Sequence, residues 1–236
     1  MLLLERWTEK GFRRRGPWVT RFVVRDKVYG GNYDTLADPR LQWFWESFPD
    51  ARTILELGSL EGGHTWGLAT RPDVRQIVAL EGRAANVRRA RFAQKKIGYT
   101  KARFYQEDLE SCDLSRYGSF DAVFCVGLLY HLTRPWDLLA QAGRVSPAIF
   151  MWTHYLADDH VEAVEGGYGG AWVGEFGRAD PLSGLSPRSF WPTRGALLRM
   201  IADAGFGSVR VIQDTPNHPH GPAMTLAASR ESAPND

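Results

Sequence analysis

The sequence predicts an α/β fold, and three observations carry that prediction. Short apolar runs at Thr53–Leu57, Gln76–Leu80, Ala102–Gln106, Phe120–Val126 and Ala148–Trp152 alternate with helical stretches, the pattern that builds a layered sheet with helices packed on it. The first run passes directly into a glycine-rich turn, Gly58-Ser59-Leu60-Glu61-Gly62-Gly63, and then into a helix start at His64-Thr65. Such a turn holds nucleotide-like ligands, because backbone N–H groups and a helix N-terminus face it. An acid, Glu81, ends the second run. About 20 residues beyond a glycine loop, a carboxylate can accept hydrogen bonds from both ribose hydroxyls.

The 236 residues suffice for a full core and suit one domain with appendages. Hydrophobic residues at 44% and charged residues at 24% are ordinary for a globular chain. A formal charge of +2 gives no global field for nucleic acid or membrane binding. Cys112 and Cys125 are the only cysteines, which argues against a disulfide framework or a cysteine zinc site and points to a reducing cytoplasm. Leu2–Leu4 is too short for a signal-peptide core, and no apolar run reaches the roughly 20 residues that span a bilayer.

In chain order, residues 1–50 form an N-terminal segment before the first strand. Arg21–Val24 alternates briefly, as an edge strand would, and Tyr29-Gly30-Gly31-Asn32-Tyr33 is a turn signal flanked by tyrosines. Asp38 can cap a helix over Pro39–Phe48 with proline at its first position. Its aromatic residues either pack on the sheet or form a lid, with Tyr29 and Tyr33 reaching into the site. Arg83–Gly98 is helical and strongly basic: no acid occurs between Gly82 and Gln106, while eight Lys or Arg do. A solvated face and a phosphate patch are both open readings. A helix starts at Thr133-Pro135 and runs through Ala142. Residues 156–192 are rich in glycine and proline and too long for a plain connection, so they are expected to form a substrate cap. A helix over Thr193–Ala204 and strands at Ser208–Gln213 and Ala223–Ala228 complete the main domain, 51–230, and residues 231–236 are expected to be a disordered tail.

Glu56-x-Gly58-x-x-x-Gly62 resembles motif I of the class I S-adenosylmethionine (SAM)-dependent methyltransferases, with Leu60 in place of the usual middle glycine. Phe120–Leu139, F-D-A-V-F-C-V-G-L-L-Y-H-L-T-R-P-W-D-L-L, resembles motif IV and the helix after it. The wording L-Y-H-L also resembles the subgroup that modifies tRNA wobble uridine by carboxymethyl transfer. The likeness covers roughly residues 50–155. It implies a Rossmann-like seven-stranded class I methyltransferase sheet with helices on both faces, an N-terminal helical segment and a cap insertion after strand five. The sixth strand would run parallel to the others and the seventh antiparallel. SAM is the implied cofactor, held by Glu56, Gly58, Ser59, Leu60, Glu61, Gly62, Glu81, Gly82, Asp108, Leu109, Val126 and Gly127. In that reading Asp108 meets the adenine amino group, Leu109 lines its ring and Glu61 lies near the amino-acid end of SAM.

Ligands in open α/β sheets bind beyond the carboxyl ends of the strands. His131 and His154, after the fourth and fifth strands, therefore belong at that edge, as do His218 and His220 in the last loop. An imidazole suits the removal of a hydroxyl proton at neutral pH. His154 and His131 are the candidate bases, with Tyr130 as an orienting group, and Tyr29, Tyr33, Tyr155, His218 and His220 are candidate acceptor contacts. His154, Asp158, Asp159 and His160 match no recognised metal spacing, so no metal is expected. The leading expectation is methyl transfer to oxygen of a small-molecule or glycan-like acceptor. An RNA-modifying methyl- or carboxymethyltransferase and a SAM-binding protein without turnover are the alternatives.

Overall fold

A computed structural model describes residues 2–177 and 180–230; the expected tail, 231–236, lies outside the described residues. Helix α1 (Leu2–Arg13) is followed by a hairpin of β1 (Arg21–Val24) and β2 (Lys27–Gly30). The edge strand expected at Arg21–Val24 thus has a partner, and its two-residue turn places both Arg25 and Asp26 at positive φ, the geometry that suits a tight hairpin. Phe12, Phe22, Val24 and Ala93 bury a small core of their own between α1, the hairpin and α4 (Ala84–Ile97).

Helix α2 (Pro39–Ser47) is capped by Asp38, which accepts from the Arg40 N–H at 2.9 Å. Phe44 is fully buried and meets Phe124 and Phe150 edge-on at 5.4 and 5.9 Å. This helix therefore packs on the sheet, and burying a phenylalanine of that kind contributes about 1.5–3 kcal/mol. Arg40 in its first turn and the residues just before it reach the ligand edge.

Seven strands form the central sheet: β3 (Thr53–Leu57), β4 (Gln76–Glu81), β5 (Ala102–Gln106), β6 (Ala122–Val126), β7 (Ala148–His154), β11 (Ser208–Thr215) and β12 (Ala223–Ser229). Their order is β11-β12-β7-β6-β3-β4-β5. β12 runs antiparallel to both β7 and β11, and the other neighbours pair in parallel. One face is covered by α5 (Pro135–Val145) and α6 (Arg194–Asp203). The other carries α2, α3 (Gly63–Ala69) and α4.

The glycine-rich insertion is more regular than a loop. β8 (Ala163–Glu165), β9 (Tyr168–Gly174) and β10 (Arg188–Pro192) form a second, antiparallel sheet with β9 in the middle. Gly166 and Gly167 supply the two positive-φ residues of the β8–β9 turn, and at Gly170 a Cβ would lie 2.2 Å from the Trp191 carbonyl. The glycines that read as loop composition are turn and close-approach chemistry.

Candidate active site

Beyond the carboxyl ends of β3, β4 and β6 lies a cavity of about 300 Å³. The glycine turn forms one wall. Gly58 and Gly62 take positive φ, and Leu60 does so as well, at 49°. A side chain in that region costs roughly 1–2 kcal/mol. The turn is held there by Glu81, whose Oε2 accepts from the Leu60 N–H at 3.0 Å. Glu81 Oε1 accepts from the Arg83 N–H at 2.8 Å and from Asn86 at 3.3 Å. Burial raises the Glu81 pKa while these N–H donors oppose the shift. A carboxylate has about four lone-pair sites, so Glu81 retains acceptor capacity toward the cavity it lines.

Gly58, Ser59, Leu60, Glu81, Gly82, Asp108, Leu109, Val126 and Gly127 all line this cavity. The expected residues Glu56, Glu61 and Gly62 do not. Glu61 is 1% exposed and faces the N-terminal segment, accepting from the Val19 and Thr20 N–H groups at 3.0 and 2.8 Å with Arg89 at 3.6 Å. Its expected place beside the amino-acid end of the cofactor is corrected: it ties the first 20 residues to the turn. Glu61→Ala should destabilise the chain by about 2–4 kcal/mol, since two buried N–H groups and Arg89 lose their partner. Urea unfolding will measure this, and a loss under about 1 kcal/mol would refute the role.

Glu56 lies beneath the turn and accepts from the Thr65 hydroxyl. Burial pushes its carboxyl up to about 8. The folded chain therefore keeps this proton at pH values where the unfolded chain, near the ordinary value of about 4.3, has lost it. That contribution to stability is complete at low pH and declines between about pH 4.3 and 8, at up to about 1.4 kcal/mol per pH unit. Glu56→Gln should flatten the fall of Tm across this range, and an unchanged slope in thermal melts would count against it.

The N-terminal segment closes a second wall with Thr20, Tyr33, Thr35 and Arg40, joined by His64 from α3. Asp38 is their hub: it accepts from the Tyr33 hydroxyl, from the Arg40 guanidinium and from His64 Nε2 at 2.8 Å. Burial opposes its charge, but these donors hold its carboxyl well below the usual range. Arg40, Thr20 and Thr35 had no sequence signal as site residues, and Asp38 was legible only as a helix cap. Tyr29 is not part of this wall. Its ring stacks on Phe12 at 5.0 Å, because the hairpin turns it toward α1.

The cap supplies the third wall through Pro181–Leu185. One nitrogen of the Arg83 guanidinium donates to the carbonyls of Gly177, Asp180 and Ser183 at 3.0, 2.7 and 2.8 Å, fastening the cap to the end of β4. Glu175 fastens the other side: it accepts from Ser183, from the Gly184 N–H at 2.8 Å, from Ser189 at 2.9 Å and from His131 Nδ1 at 2.8 Å. Burial opposes ionisation of Glu175, yet its donors hold the carboxyl down to about 2. An ionised carboxylate only accepts, so His131 Nδ1 carries the hydrogen and Nε2 of the neutral ring is the basic atom. Among the described residues no hydrogen bond engages that Nε2. His131 and Tyr130 both line the cavity, and burial raises the Tyr130 pKa.

His154 does not line it. Its Nδ1 donates to the Gly221 and Pro222 carbonyls at 3.0 and 3.1 Å, and its ring stacks on Trp191 at 4.9 Å, with Trp152, Tyr130 and His218 around it. Burial lowers its pKa. Tyr155 donates to Asp214, His218 packs beside Trp152, and His220 is exposed. The expectation that all four belong to the site is corrected: the strand edge is right, but Tyr130 and Arg40 stand at the cavity while these residues lie outside its lining.

Residues 54–146 match a methyltransferase domain family. The crystal structure of the N-terminal domain of EvdMO1, obtained in the presence of SAH and D-fucose, is 35% identical to this chain, covers 96% of each and superposes with a TM-score of 0.86. The chain is a SAM-dependent methyltransferase of class I. The same EvdMO1 domain with SAH bound superposes at 0.85. Whole EvdMO1 is 31% identical over 95% of this methyltransferase, which spans 47% of that longer chain. An O-methyltransferase family protein from Burkholderia thailandensis, 17% identical over 84% of this chain and 57% of its own, shares the fold with a TM-score of 0.60. No curated protein sequence matches significantly.

SAM is the cofactor of this methyltransferase, and the cavity fits it. Two side-chain oxygens on its lining, Ser59 Oγ and Thr35 Oγ1, are buried without a hydrogen-bond partner, a state that polar groups rarely keep unless a ligand or water satisfies them. Glu81 offers its remaining acceptor sites, and Gly58 lets the backbone approach closely. No helix among the described residues is long and apolar enough to cross a membrane.

Proposed function

We propose that this methyltransferase transfers the SAM methyl group to a hydroxyl oxygen of a sugar-like small molecule, with His131 as general base. One observation carries the proposal: His131 lines the cofactor cavity with its tautomer set by Glu175 and its Nε2 free. The D-fucose present with SAH in the crystals of the related EvdMO1 domain supports a sugar acceptor. When bound, SAM supplies an electrophilic methyl group on its sulfonium. Gly58–Leu60 and Glu81 would hold that cofactor, and Asp108 and Leu109 would receive its base. The acceptor hydroxyl donates to His131 Nε2, which takes the proton as the oxygen attacks. Glu175 then faces an imidazolium, which its negative charge stabilises. Tyr130, kept protonated by burial, orients the acceptor, and Arg40 and Tyr33 bound its pocket. Closure of the cap residues over the cavity excludes water.

The test offers SAM with D-fucose, related hexoses and tRNA, reading SAH release and product mass. Turnover on a sugar with a gain of one methyl group is expected. Turnover on tRNA alone would overturn the reading, and SAM binding without product on any acceptor would favour a binding protein. A second reading has one observation behind it. Arg40 on the cavity wall is a cation of the kind a carboxymethylated donor requires, in line with the likeness to wobble-uridine enzymes. Its charge is already met by Asp38, which favours ordinary SAM. The free, buried Cys112 and Cys125 support a reducing cytoplasmic location.

A further inference from the structure

The basic helix α4 does not face water alone. α1 meets it where Gly11 abuts Phe92, and beside that contact lies a groove with a volume of about 1050 Å³. Gly11 makes the crossing close, since a Cβ there would lie 2.4 Å from the Phe92 ring. The floor is therefore apolar: Gly11, Phe92, Ala85 and the indole of Trp7, which is 67% exposed. The walls are cationic. Lys10 rises from α1 and Arg14 from the turn just after it, Arg88, Lys95 and Lys96 rise from α4, and none of these five has an acidic partner among the described residues. Arg91 and Lys95 stand at i and i+4, a like-charge pair that weakens a helix left by itself. The chain as a whole carries only +2, so this concentration is local. By topology it is also remote from the base: α4 joins β4 to β5 at one edge of the sheet, while His131 follows β6.

We propose that this groove docks an acidic amphipathic helix of a partner protein. An apolar floor between two cationic rails matches a helix with one apolar stripe flanked by Glu and Asp. Exposed Trp and Arg are the residue types that anchor such contacts. Charge complementarity selects the partner's sign, and the apolar floor favours a folded peptide face over a bare polyanion. The proposal does not depend on which acceptor is methylated.

The test uses the full chain and a fluorescein-labelled synthetic helix carrying Leu at i, i+3, i+4 and i+7 and Glu at the flanking positions. Fluorescence anisotropy is read for this peptide, for a scrambled peptide of the same composition and for a single-stranded RNA of equal charge. The amphipathic peptide is expected to bind at least about tenfold tighter than the scrambled one, because only it places its apolar stripe on the floor. Trp7→Ala should remove that preference. Arg14→Glu with Arg88→Glu should weaken the acidic peptide about tenfold or more and admit a Lys-flanked version instead. SAH release by each variant, expected to match the parent, shows that it is folded. Equal binding of both peptides, tighter binding of RNA, or no binding of any probe would each overturn the proposal.

Discussion

Replacement of His131 by alanine is expected to lower kcat by about 10²–10⁴-fold, the usual worth of a positioned general base. SAM affinity should remain within about threefold, because the atom removed acts on the acceptor proton and not on the cofactor. His154→Ala is the decisive partner experiment. Both histidines follow strands of the same edge, but only His131 lines the cavity. His154 is held outside that lining by two carbonyl hydrogen bonds at Nδ1 and a ring stack. The His154 variant should lose stability yet keep most of its turnover per folded molecule. The reverse result, with His154 essential and His131 dispensable, would return the base to the aromatic cluster. Glu175→Gln separates orientation from chemistry. The amide can turn its N–H₂ toward Nδ1 and select the tautomer with hydrogen on Nε2, so kcat should fall and the pH–rate profile should change while the cap keeps most of its hydrogen bonds.

Glu81→Ala is expected to weaken SAM binding by about 10–10²-fold, from a charge-assisted hydrogen bond to ribose worth about 1.5–3 kcal/mol. It also removes the acceptor that holds the Leu60 and Arg83 N–H groups. Leu60 sits at positive φ without the freedom of glycine, so the turn should relax and Tm should fall. Calorimetric titration with SAM and a thermal melt without it distinguish the two effects. Glu81→Gln keeps one acceptor oxygen, replaces the other with an N–H₂ donor and loses the charge, so it should fall between the parent and the alanine variant. Unaltered SAM affinity in Glu81→Ala would remove this residue from the cofactor site.

The cavity wall built by the glycine turn and the strand ends was readable because its signals are local. A strand ends, glycines turn the chain, and a carboxylate follows at a fixed interval; Gly58, Glu81, Asp108 and Gly127 needed no knowledge of distant contacts. Glu61 shows the limit of that logic. It stands inside the turn, yet its carboxylate faces Val19 and Thr20, more than 40 residues earlier. Nothing in the spacing of a loop tells which side of it will receive a separate segment.

The acceptor half obeyed no such interval. Asp38, read correctly as a helix cap, also gathers Tyr33, Arg40 and His64 into one wall. The pair that sets the tautomer of the proposed base joins His131 to Glu175, 44 residues apart, across an insertion whose glycines gave no sign of a second sheet. The strands, the glycine turn and the carboxylate that follows it were determined by the sequence alone, since hydrophobic period and backbone conformation are properties of neighbouring residues, and the strand order followed from the family resemblance. The placing of His131 and Arg40 at the cavity, and of His154 and Tyr29 away from it, was decided only by tertiary structure. Those outcomes depend on which distant segments pack together around the cavity.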